Sequence, residues 1–498
     1  MRWSASLWII WKRKSYKPGR RPGSPGGERT KQPIQRGRNR MGPVPLFLER
    51  SSRMKRVTVD FSKKLGPIKP MHSVNNGPAG ARVRGTSNFD DYAAAGIPFA
   101  RNHDASFYSG YGGEHTVDVH RIFPRFEADE TNPASYKFGP TDIYTQSIID
   151  AGTQVFYRLG AAIEHGYKEG TYPPPDFEKW ARIAEHIILH YNEGWADGFR
   201  HGIQYWEIWN EPDCRNADGS NPCWQGTREQ FIEFFTTAIK HLKTRFPELK
   251  IGGPAFCGAW DDEYNEILLS EMRKQNLPLD FFSFHGYARE PERYAESARH
   301  ARETLDHFGY TDTEIILNEW NYIRGWLNED WKYSLRMEKG VKGSSFIAAS
   351  MICAQNSPMD HFMYYDARPC GMNGMFDTDT LKPLKGYYPF PMFNELYKLG
   401  AQAQCDTESA PLYALAAVGE GEAAVLVTHY SDDDNAPETE VCISMNGLGE
   451  GVWKASCYLL DAEHDQTLVR AEKFAAGGMD AYLTLPLFGS CLIKLEKL

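Results

Sequence analysis

Glu211 and Glu319 each follow an asparagine directly in this 498-residue sequence, and each stands where an apolar run ends. Glu211 lies in "YWEIWNEPD", and Glu319 lies in "EIILNEW". Two carboxylates that face each other across a pocket can cleave a glycosidic bond. One, protonated, gives its proton to the leaving oxygen, and the other, ionised, attacks the anomeric carbon or activates water. A lone glutamate at a strand end is usually just solvated, so the prediction depends on whether the fold brings these two together.

Alternating strand and helix patterns supply such a fold. Eight short apolar runs alternate with amphipathic helical segments, which predicts a parallel sheet covered by helices. Eight units without a surplus strand favour a closed (β/α)₈ barrel, in which chemistry occurs at the carboxyl ends of the strands. Glu211 and Glu319 end the fourth and seventh predicted strands, so we expect both at one barrel mouth. The predicted strands are 68–75, 96–104, 154–160, 204–212, 250–255, 281–287, 314–320 and 361–366.

Other predicted strand ends also carry groups capable of binding or proton transfer. In the fourth strand, alternation places Asn210 on the face of Trp206 and Ile208, opposite Glu207, and we expect Glu207 to pair inside the barrel. Asp213 is expected to cap the following turn. The candidate substrate-binding residues are Arg101, His103 and Asp104 of "ARNHD", Asn210 of "WNEPD", His285 and Tyr287 of "HGY", Trp320 of "NEW" and Asp366 of "YYDAR".

The chain divides into four predicted parts. Residues 1–53 hold 14 Lys/Arg against 2 Asp/Glu and show no hydrophobic periodicity, which predicts a disordered basic tail, here interpreted as an extension outside the native protein. A strand at 54–66 is expected to join an antiparallel β-sandwich at 401–498, where short alternating strands are separated by Gly, Asn and Asp turns. Residues 67–400 would form the barrel.

Composition and motif spacing exclude several classes of function. A net charge of −9 argues against nucleic acid as a general partner, although the basic tail keeps that alternative testable. The apolar stretch "SLWIIW" is too short to span a membrane. No HExxH spacing occurs and no GxGxxG follows the first strand, so we predict neither a metal nor a cofactor.

The cysteines indicate a compartment. Nine cysteines without a CxxC pair predict reduced thiols in the cytoplasm, with a Cys214–Cys223 disulfide as an alternative under oxidising conditions. Self-association is left open by the sequence.

The two glutamate motifs together resemble those of retaining (β/α)₈ glycoside hydrolases, a clan with an acid/base Asn–Glu on strand 4 and a nucleophilic Glu on strand 7. Further motifs are similar to glycoside hydrolase family 39, which contains β-xylosidases and α-L-iduronidases. The resemblance covers about residues 55–498 and includes the trailing sandwich. The motifs are "NNGP" at 75–78, "FARNHD" at 99–104, "GGPA" at 252–255 and "FHGY" at 284–287.

The resemblance implies a role for each matching residue in a two-step retaining hydrolysis of an oligosaccharide or glycoside. Glu211 would be the acid/base and Glu319 the nucleophile. Asn210 would bind the sugar 2-hydroxyl, Tyr287 would hold the nucleophile, and His285 would contact the sugar or the acid/base. Arg101, His103 and Asp104 would line the site.

Asp104 departs from the family pattern, which more often has Gly after this His. A β-xylosidase-like activity is the first expectation. An arabinose-, galactose- or uronate-directed or disaccharide-releasing glycosidase, and a non-catalytic carbohydrate-binding barrel, stay open.

Overall fold

The computed structural model describes residues 10–13, 54–79, 87–103, 116–161, 169–407, 410–475 and 477–498. Its strands are β1 Ile10–Arg13, β2 Lys55–Pro67, β3 Ser73–Asn75, β4 Phe99–Arg101, β5 Gln154–Leu159, β6 Tyr205–Ile208, β7 Lys250–Phe256, β8 Phe281–Ala288, β9 Glu314–Tyr322, β10 His361–Tyr364, β11 Ala401–Thr407, β12 Leu412–Val418, β13 Glu422–His429, β14 Thr439–Asn446, β15 Val452–Leu460, β16 Thr467–Ala475, β17 Met479–Leu485 and β18 Ser490–Lys497. The α-helices are α1 Phe89–Ala94, α2 Val119–Ile122, α3 Gly139–Asp150, α4 Phe177–Asn192, α5 Arg228–Arg245, α6 Asp262–Lys274, α7 Glu292–His307, α8 Asn328–Met337, α9 Val341–Gln355 and α10 Pro389–Leu399. Short 3₁₀ turns lie at Pro133–Ser135, Glu169–Thr171 and Lys385–Tyr387.

Strands β3 to β10 form a closed parallel barrel in the order of the chain, with β10 pairing back onto β3. Each of the eight predicted runs overlaps one of these strands, so the predicted (β/α)₈ barrel is confirmed. Helices between successive strands pack outside. Helix α5 begins with the capping box that the sequence shows, in which Thr227 and Gln230 bond each other's backbone N–H.

The interior of the barrel is layered by the two-residue period of its strands. An apolar cluster closes the amino end and consists of Phe99, Phe156, Phe281, Ile316 and Met363, with Tyr205 packed against it. The next inward positions lie two residues further along each strand. Five of these positions are polar, and they are Arg101, Arg158, Glu207, Ser283 and Asn318. The apolar cluster therefore forms the floor of the barrel interior, and a layer of buried polar side chains lies directly above it.

The C-terminal strands form a second, mostly antiparallel sheet, as predicted. Ten strands join in one hydrogen-bonded order, β1-β17-β14-β2-β11-β12-β13-β18-β15-β16. The expected N-terminal strand is β2, which lies between β14 and β11 and pairs parallel with β14. One hydrophobic core draws side chains from both halves of this sheet, as in a sandwich, although the strands form a single sheet rather than two.

The basic tail differs from its prediction at four residues. Ile10–Arg13 pair antiparallel with residues 479–482 of β17 at the edge of the second sheet. The rest of residues 1–53 lies outside the described residues. Among the helices of the described part of the chain, none combines the length and apolar character needed to cross a membrane.

Candidate active site

Arg101 is the centre of the polar layer above the barrel floor. It ends β4, is fully buried, and donates to side chains from four other places in the barrel. Its Nε lies 2.6 Å from Glu207 Oε2, and its Nη1 lies 2.8 Å from Glu319 Oε1 and 3.1 Å from Asn75 Oδ1. Its Nη2 lies 2.7 Å from Asn210 Oδ1. One guanidinium thus sets the positions of residues on the first, fourth and seventh barrel strands.

Glu319 lies on β9 with its carboxylate at the carboxyl end of the barrel and 6 % of its surface exposed. Besides Arg101, its Oε1 lies 3.3 Å from His103 Nε2. Its Oε2 accepts a hydrogen bond of 2.9 Å from the Tyr287 hydroxyl. Donors on both oxygens stabilise the ionised form of a carboxylate and fix its orientation.

Glu211 stands just beyond β6, in a left-handed backbone conformation with φ of 46°. Its N–H donates to the Ala255 carbonyl at 2.8 Å, which ties it to the end of the neighbouring β7. Its Oε1 lies 2.8 Å from His285 Nδ1, and its Oε2 lies 3.8 Å from Cys223 Sγ. Strained conformations of this kind concentrate at functional sites, where surrounding contacts hold them.

His285 connects the two glutamates. Its Nδ1 lies 2.8 Å from Glu211 and 3.5 Å from Glu319 Oε2, and one carboxylate oxygen of Glu211 lies within 4.8 Å of one of Glu319. Complete burial lowers the pKa of His285 to about 4, despite the neighbouring Glu319 carboxylate. The imidazole is therefore neutral near pH 7.

Asn210 departs from the alternation expected for its strand. Its side chain bonds Arg101 inside the barrel, on the side of Glu207 rather than of Trp206 and Ile208. Trp209, with φ of 76°, breaks the alternation and turns its ring toward Trp180 and Phe234 of α4 and α5. Asn210 Nδ2 is buried and has no hydrogen-bond partner among the residues that the structure describes, so it is a donor that a bound sugar could use.

Trp320 does not reach the pocket, and its assignment to substrate binding is corrected. Its side chain is fully buried and stacks on Phe362 with ring centroids 4.1 Å apart, beside Phe346 of α9 and Tyr294 of α7. The residue follows Glu319 directly, so it points to the outer face of β9 where the helices pack.

The remaining predicted residues lie in different surroundings. Asp366 follows β10, is fully buried, and pairs with Arg368 Nη2 at 3.2 Å while accepting from Asn76 Nδ2 at 3.3 Å. Asp213 accepts the Cys257 N–H through both oxygens at 2.9 and 3.1 Å, rather than capping its own turn, and burial raises its pKa to about 7. Asp104 lies outside the described residues. Cys214 and Cys223 are both thiols, so the alternative disulfide is not formed.

Three polar residues of the site escaped sequence reasoning. Asn75 Nδ2 donates to the Asn318 carbonyl at 2.7 Å, and Ser283 and Asn318 both donate to Glu207 Oε1. Ser283 also accepts from Ala255 N at 2.9 Å, which links Glu207 to the strand end that holds Glu211. Ser283 and Asn318 lie two residues after Phe281 and Ile316 of the apolar cluster, and this spacing could have located them from the sequence.

The sequence around these residues matches one known protein family. Residues 95–311 match the sequence model described as Glycosyl hydrolases family 39, a stretch that runs from before β4 to before β9 and includes Arg101, Glu211 and His285. This match covers less than half of the chain and marks a similarity to glycosyl hydrolase family 39. Glu319 follows the matched stretch in sequence, and Arg101, Tyr287 and His285 hold it beside the matched residues of the barrel.

The individual relatives of this chain are distant. A β-xylosidase of Geobacillus stearothermophilus is 26% identical over 33% of this chain and 33% of its own length. One of Caldicellulosiruptor saccharolyticus is 24% identical over 48% of this chain and 47% of its own length. The matches thus span less than half the length of these curated relatives. A glucosidase from Croceicoccus marinus shares the fold, with TM-score 0.73 and 20% identity over 89% of this chain and 99% of that chain.

Proposed function

We propose that this protein is a retaining glycoside hydrolase that removes a terminal sugar by double displacement, with a β-xyloside as the first candidate substrate. The approach of Glu211 and Glu319, with one oxygen of each within 4.8 Å, carries the proposal. Retaining enzymes place their two carboxyl groups about 5–5.5 Å apart, whereas inverting enzymes need about 6.5–9.5 Å to admit a water molecule. The names of the distant relatives supply the β-xyloside.

The surroundings of the two carboxylates support different roles. Glu319 receives hydrogen bonds from Arg101 and Tyr287, which favour the ionised nucleophile. Glu211 faces the neutral imidazole of His285 and the thiol of Cys223, surroundings suited to a carboxyl that must hold and release a proton. The family resemblance assigns the same roles, with the acid/base on the fourth strand and the nucleophile on the seventh.

The reaction has two balanced steps. In the first, a Glu319 oxygen bonds to the anomeric carbon as the bond to the leaving oxygen breaks, and Glu211 gives that oxygen its proton. In the second, Glu211 takes a proton from water, whose oxygen bonds to the anomeric carbon and releases Glu319. Asn210 Nδ2, held in place through Arg101, donates to the sugar 2-hydroxyl, a bond that strengthens in the transition state.

Kinetics with a panel of nitrophenyl glycosides tests the activity and the sugar together. The panel contains β-xyloside, β-glucoside, β-galactoside and α-arabinofuranoside, because the Asp104 departure keeps sugars other than xylose open. We expect the β-xyloside to give the highest kcat/KM and NMR to detect a first-formed product that retains the anomeric configuration. An inverted product would overturn the retaining mechanism. Sugar binding without turnover of any glycoside would favour the non-catalytic carbohydrate-binding alternative.

Variants of the two glutamates test their roles. Glu319→Ala should abolish turnover. Glu211→Ala should slow substrates with poor leaving groups most, and added azide should restore its turnover by replacing water in the second step. Glu314→Ala is the matched control, because Glu314 lies on the same strand but bonds Tyr205 and Lys250 at the other end of the barrel. Near-normal rates for Glu319→Ala would refute the assignment.

The remaining proposals concern the setting. The nine cysteines of the protein are all free thiols, which fits a reducing environment such as the cytoplasm. Activity should not require nucleic acid, and the native protein could form a homo-oligomer.

A further inference from the structure

A second cluster of reactive side chains contains Glu211 together with two cysteines that have no role in the hydrolysis described above. The sulfur atoms of Cys214 and Cys257 and one carboxylate oxygen of Glu211 lie within 4.8 Å of one another. Cys214 follows Glu211 by three residues, and Cys257 follows β7 directly. The Glu211 carboxylate thus has His285 and Glu319 on one side and the two thiols on the other.

Backbone hydrogen bonds hold these three side chains together. Cys214 N–H donates to the Glu211 carbonyl at 3.1 Å, and Glu211 N–H donates to the Ala255 carbonyl at 2.8 Å. The Cys257 N–H donates to both oxygens of Asp213. The ends of β6 and β7 are therefore tied to each other on both sides of the cluster. Cys257 is exposed, and Cys214 and Glu211 are partly exposed, so an ion from solvent can reach them.

We propose that Cys214, Cys257 and Glu211 form a binding site for a thiophilic divalent cation of the zinc class. Two sulfurs and one carboxylate oxygen are zinc ligands, with bonds of about 2.3 Å to sulfur and about 2.0–2.2 Å to oxygen. Tetrahedral bonds of these lengths put ligand atoms about 3.5–3.8 Å apart, so the cluster closes with side-chain shifts of about 1 Å. Hard cations such as Ca²⁺ and Mg²⁺ prefer all-oxygen sites, which this one is not.

Binding is a ligand exchange without oxidation or reduction. Each thiol releases its proton to solvent as its sulfur bonds to the cation, and the third protein ligand is the Glu211 carboxylate. Three protein ligands leave a fourth position for water. The nearby Asp213 side chain holds the Cys257 N–H and so helps to fix Cys257 at this corner of the barrel mouth.

The consequence for activity rests on the proposed function. A Glu211 carboxylate that is bound to a cation cannot carry the proton that the leaving oxygen needs. Occupation of the site should therefore inhibit hydrolysis reversibly, and a chelator should restore it. Thiophilic ions should inhibit at concentrations where Mg²⁺ and Ca²⁺ have no effect.

Cadmium titration of the full-length protein, with a non-thiol reductant present, reads out the site without relying on activity. We expect an ultraviolet cadmium–thiolate charge-transfer band that saturates at one ion per chain. Cys214→Ser and Cys257→Ser should each weaken binding by at least about 100-fold, since loss even of an outer-shell partner costs metal sites about 10–100-fold. Cys405→Ser, in the second sheet, is the matched control and should leave the band unchanged.

A pair of glutamate variants separates this inference from the proposed function. Glu319→Gln should stop hydrolysis and Glu211→Gln should slow it, but only Glu211→Gln should weaken cadmium binding. A band that persists in both cysteine variants, or no band in the wild-type protein, overturns the site even if the enzyme is active. A wild-type protein that binds cadmium as expected but cleaves no glycoside refutes the proposed function and leaves the site standing.

Discussion

At the scale of single residues, Arg101 couples a structural carboxylate to a reactive one. Burial disfavours its charge, but Glu207 and Glu319 together raise the pKa of Arg101 above its usual value. Removing Arg101 would leave Glu207 buried without its ion-pair partner, which typically costs about 3–5 kcal/mol of stability. Variants of Arg101 would therefore mix a folding defect with a catalytic one, and Tyr287 is the cleaner probe of how Glu319 is held.

Tyr287→Phe removes the hydrogen bond to Glu319, while the ring keeps its contact with Trp326, 5.0 Å away. A hydrogen bond to a charged group is worth about 1.5–3 kcal/mol, so kcat/KM should fall by about 10- to 150-fold. The loss should appear mainly in kcat, because Tyr287 positions the nucleophile and does not bind the ground-state sugar. Steady-state kinetics on the best nitrophenyl glycoside measures both parameters.

Tyr205→Phe is the matched control for this experiment. Its hydroxyl also donates to a glutamate at 2.9 Å, but that residue is Glu314, at the opposite end of the barrel. It should lower stability while leaving kcat/KM unchanged. Equal kinetic losses in the two variants would show that Tyr287 acts through general stability rather than through Glu319.

Residue types at strand ends predicted the neighbourhood of the site better than the direction of each side chain. Glu207 pairs inside the barrel as alternation predicts, whereas Asn210 does not follow its strand because Trp209 is left-handed. Trp320 belongs to a motif that carries the nucleophile, yet one residue of displacement along a strand sends it to the helices. Such reversals depend on single backbone angles, which one sequence does not reveal.

At the scale of elements, the turn after β6 depends on a glycine in the neighbouring strand connection. Gly160, directly after β5, has φ of 120°, and a Cβ built there would lie 2.9 Å from Trp209 Cα. Trp209 sits one residue before Asn210 and two before Glu211. The close approach of these two backbones therefore sets where the acid/base emerges.

Gly160→Ala should displace the end of β6 and lower kcat/KM as well as stability. Gly152→Ala is the control, because Gly152 precedes the same strand with φ of 80° but has open space around its Cα. The control should lose only the cost of a left-handed side chain, about 1–2 kcal/mol, and keep its kcat/KM. Thermal unfolding and kinetics on both variants measure the difference. Full activity in Gly160→Ala would contradict the proposed contact.

Strand positions were predictable because the barrel repeats one simple rule eight times. Each apolar run between turn residues overlaps one barrel strand, and helices α4, α5 and α6 start at the capping residues Asp176, Thr227 and Asp261. The second sheet was harder to predict, since its strand order joins residues 55–67 to strands more than 300 residues later. Pairing across that distance leaves no local signal.

At the scale of the whole molecule, β2 is part of the C-terminal sheet rather than a leader to the barrel. Val57, Val59 and Phe61 are buried in its core, and each such side chain contributes about 1.5–3 kcal/mol. Removing residues 1–67 should therefore give unstable or aggregated protein, since it separates β14 from β11. Removing residues 1–53 should keep kcat/KM. Thermal unfolding and size-exclusion chromatography compare the two, and a stable chain starting at residue 68 would contradict the prediction.

Acid should destabilise the protein through its buried histidines. Burial lowers the pKa of His72 and His361 to about 3 and of His285 to about 4. Below about pH 6.5 the unfolded chain takes up these protons and the folded chain does not, so stability falls from pH 6.5 toward 4. Each such proton contributes about 1.4 kcal/mol per pH unit. Asp213, with its raised pKa, takes up its proton first in the folded state and offsets part of this slope.

Denaturant unfolding between pH 7 and 4.5 measures this slope. His361→Gln should reduce it by about 1.4 kcal/mol per pH unit, the equivalent of one proton. His307→Gln, at an exposed position at the end of α7, should leave it unchanged. An unchanged slope in His361→Gln would contradict the prediction.

The three-way contact of Arg101 with Glu207 and Glu319 also sets a charge count along the reaction. These three groups carry two negative charges and one positive charge while the site awaits its substrate. The anomeric carbon gains positive charge in the transition state, and the one negative charge that Arg101 does not balance attracts it. Once Glu319 is esterified, Arg101 and Glu207 balance one to one. In the proposed mechanism the negative charge that leaves Glu319 appears on Glu211, which has given its proton to the leaving oxygen, so the charge moves from the seventh strand to the end of the fourth.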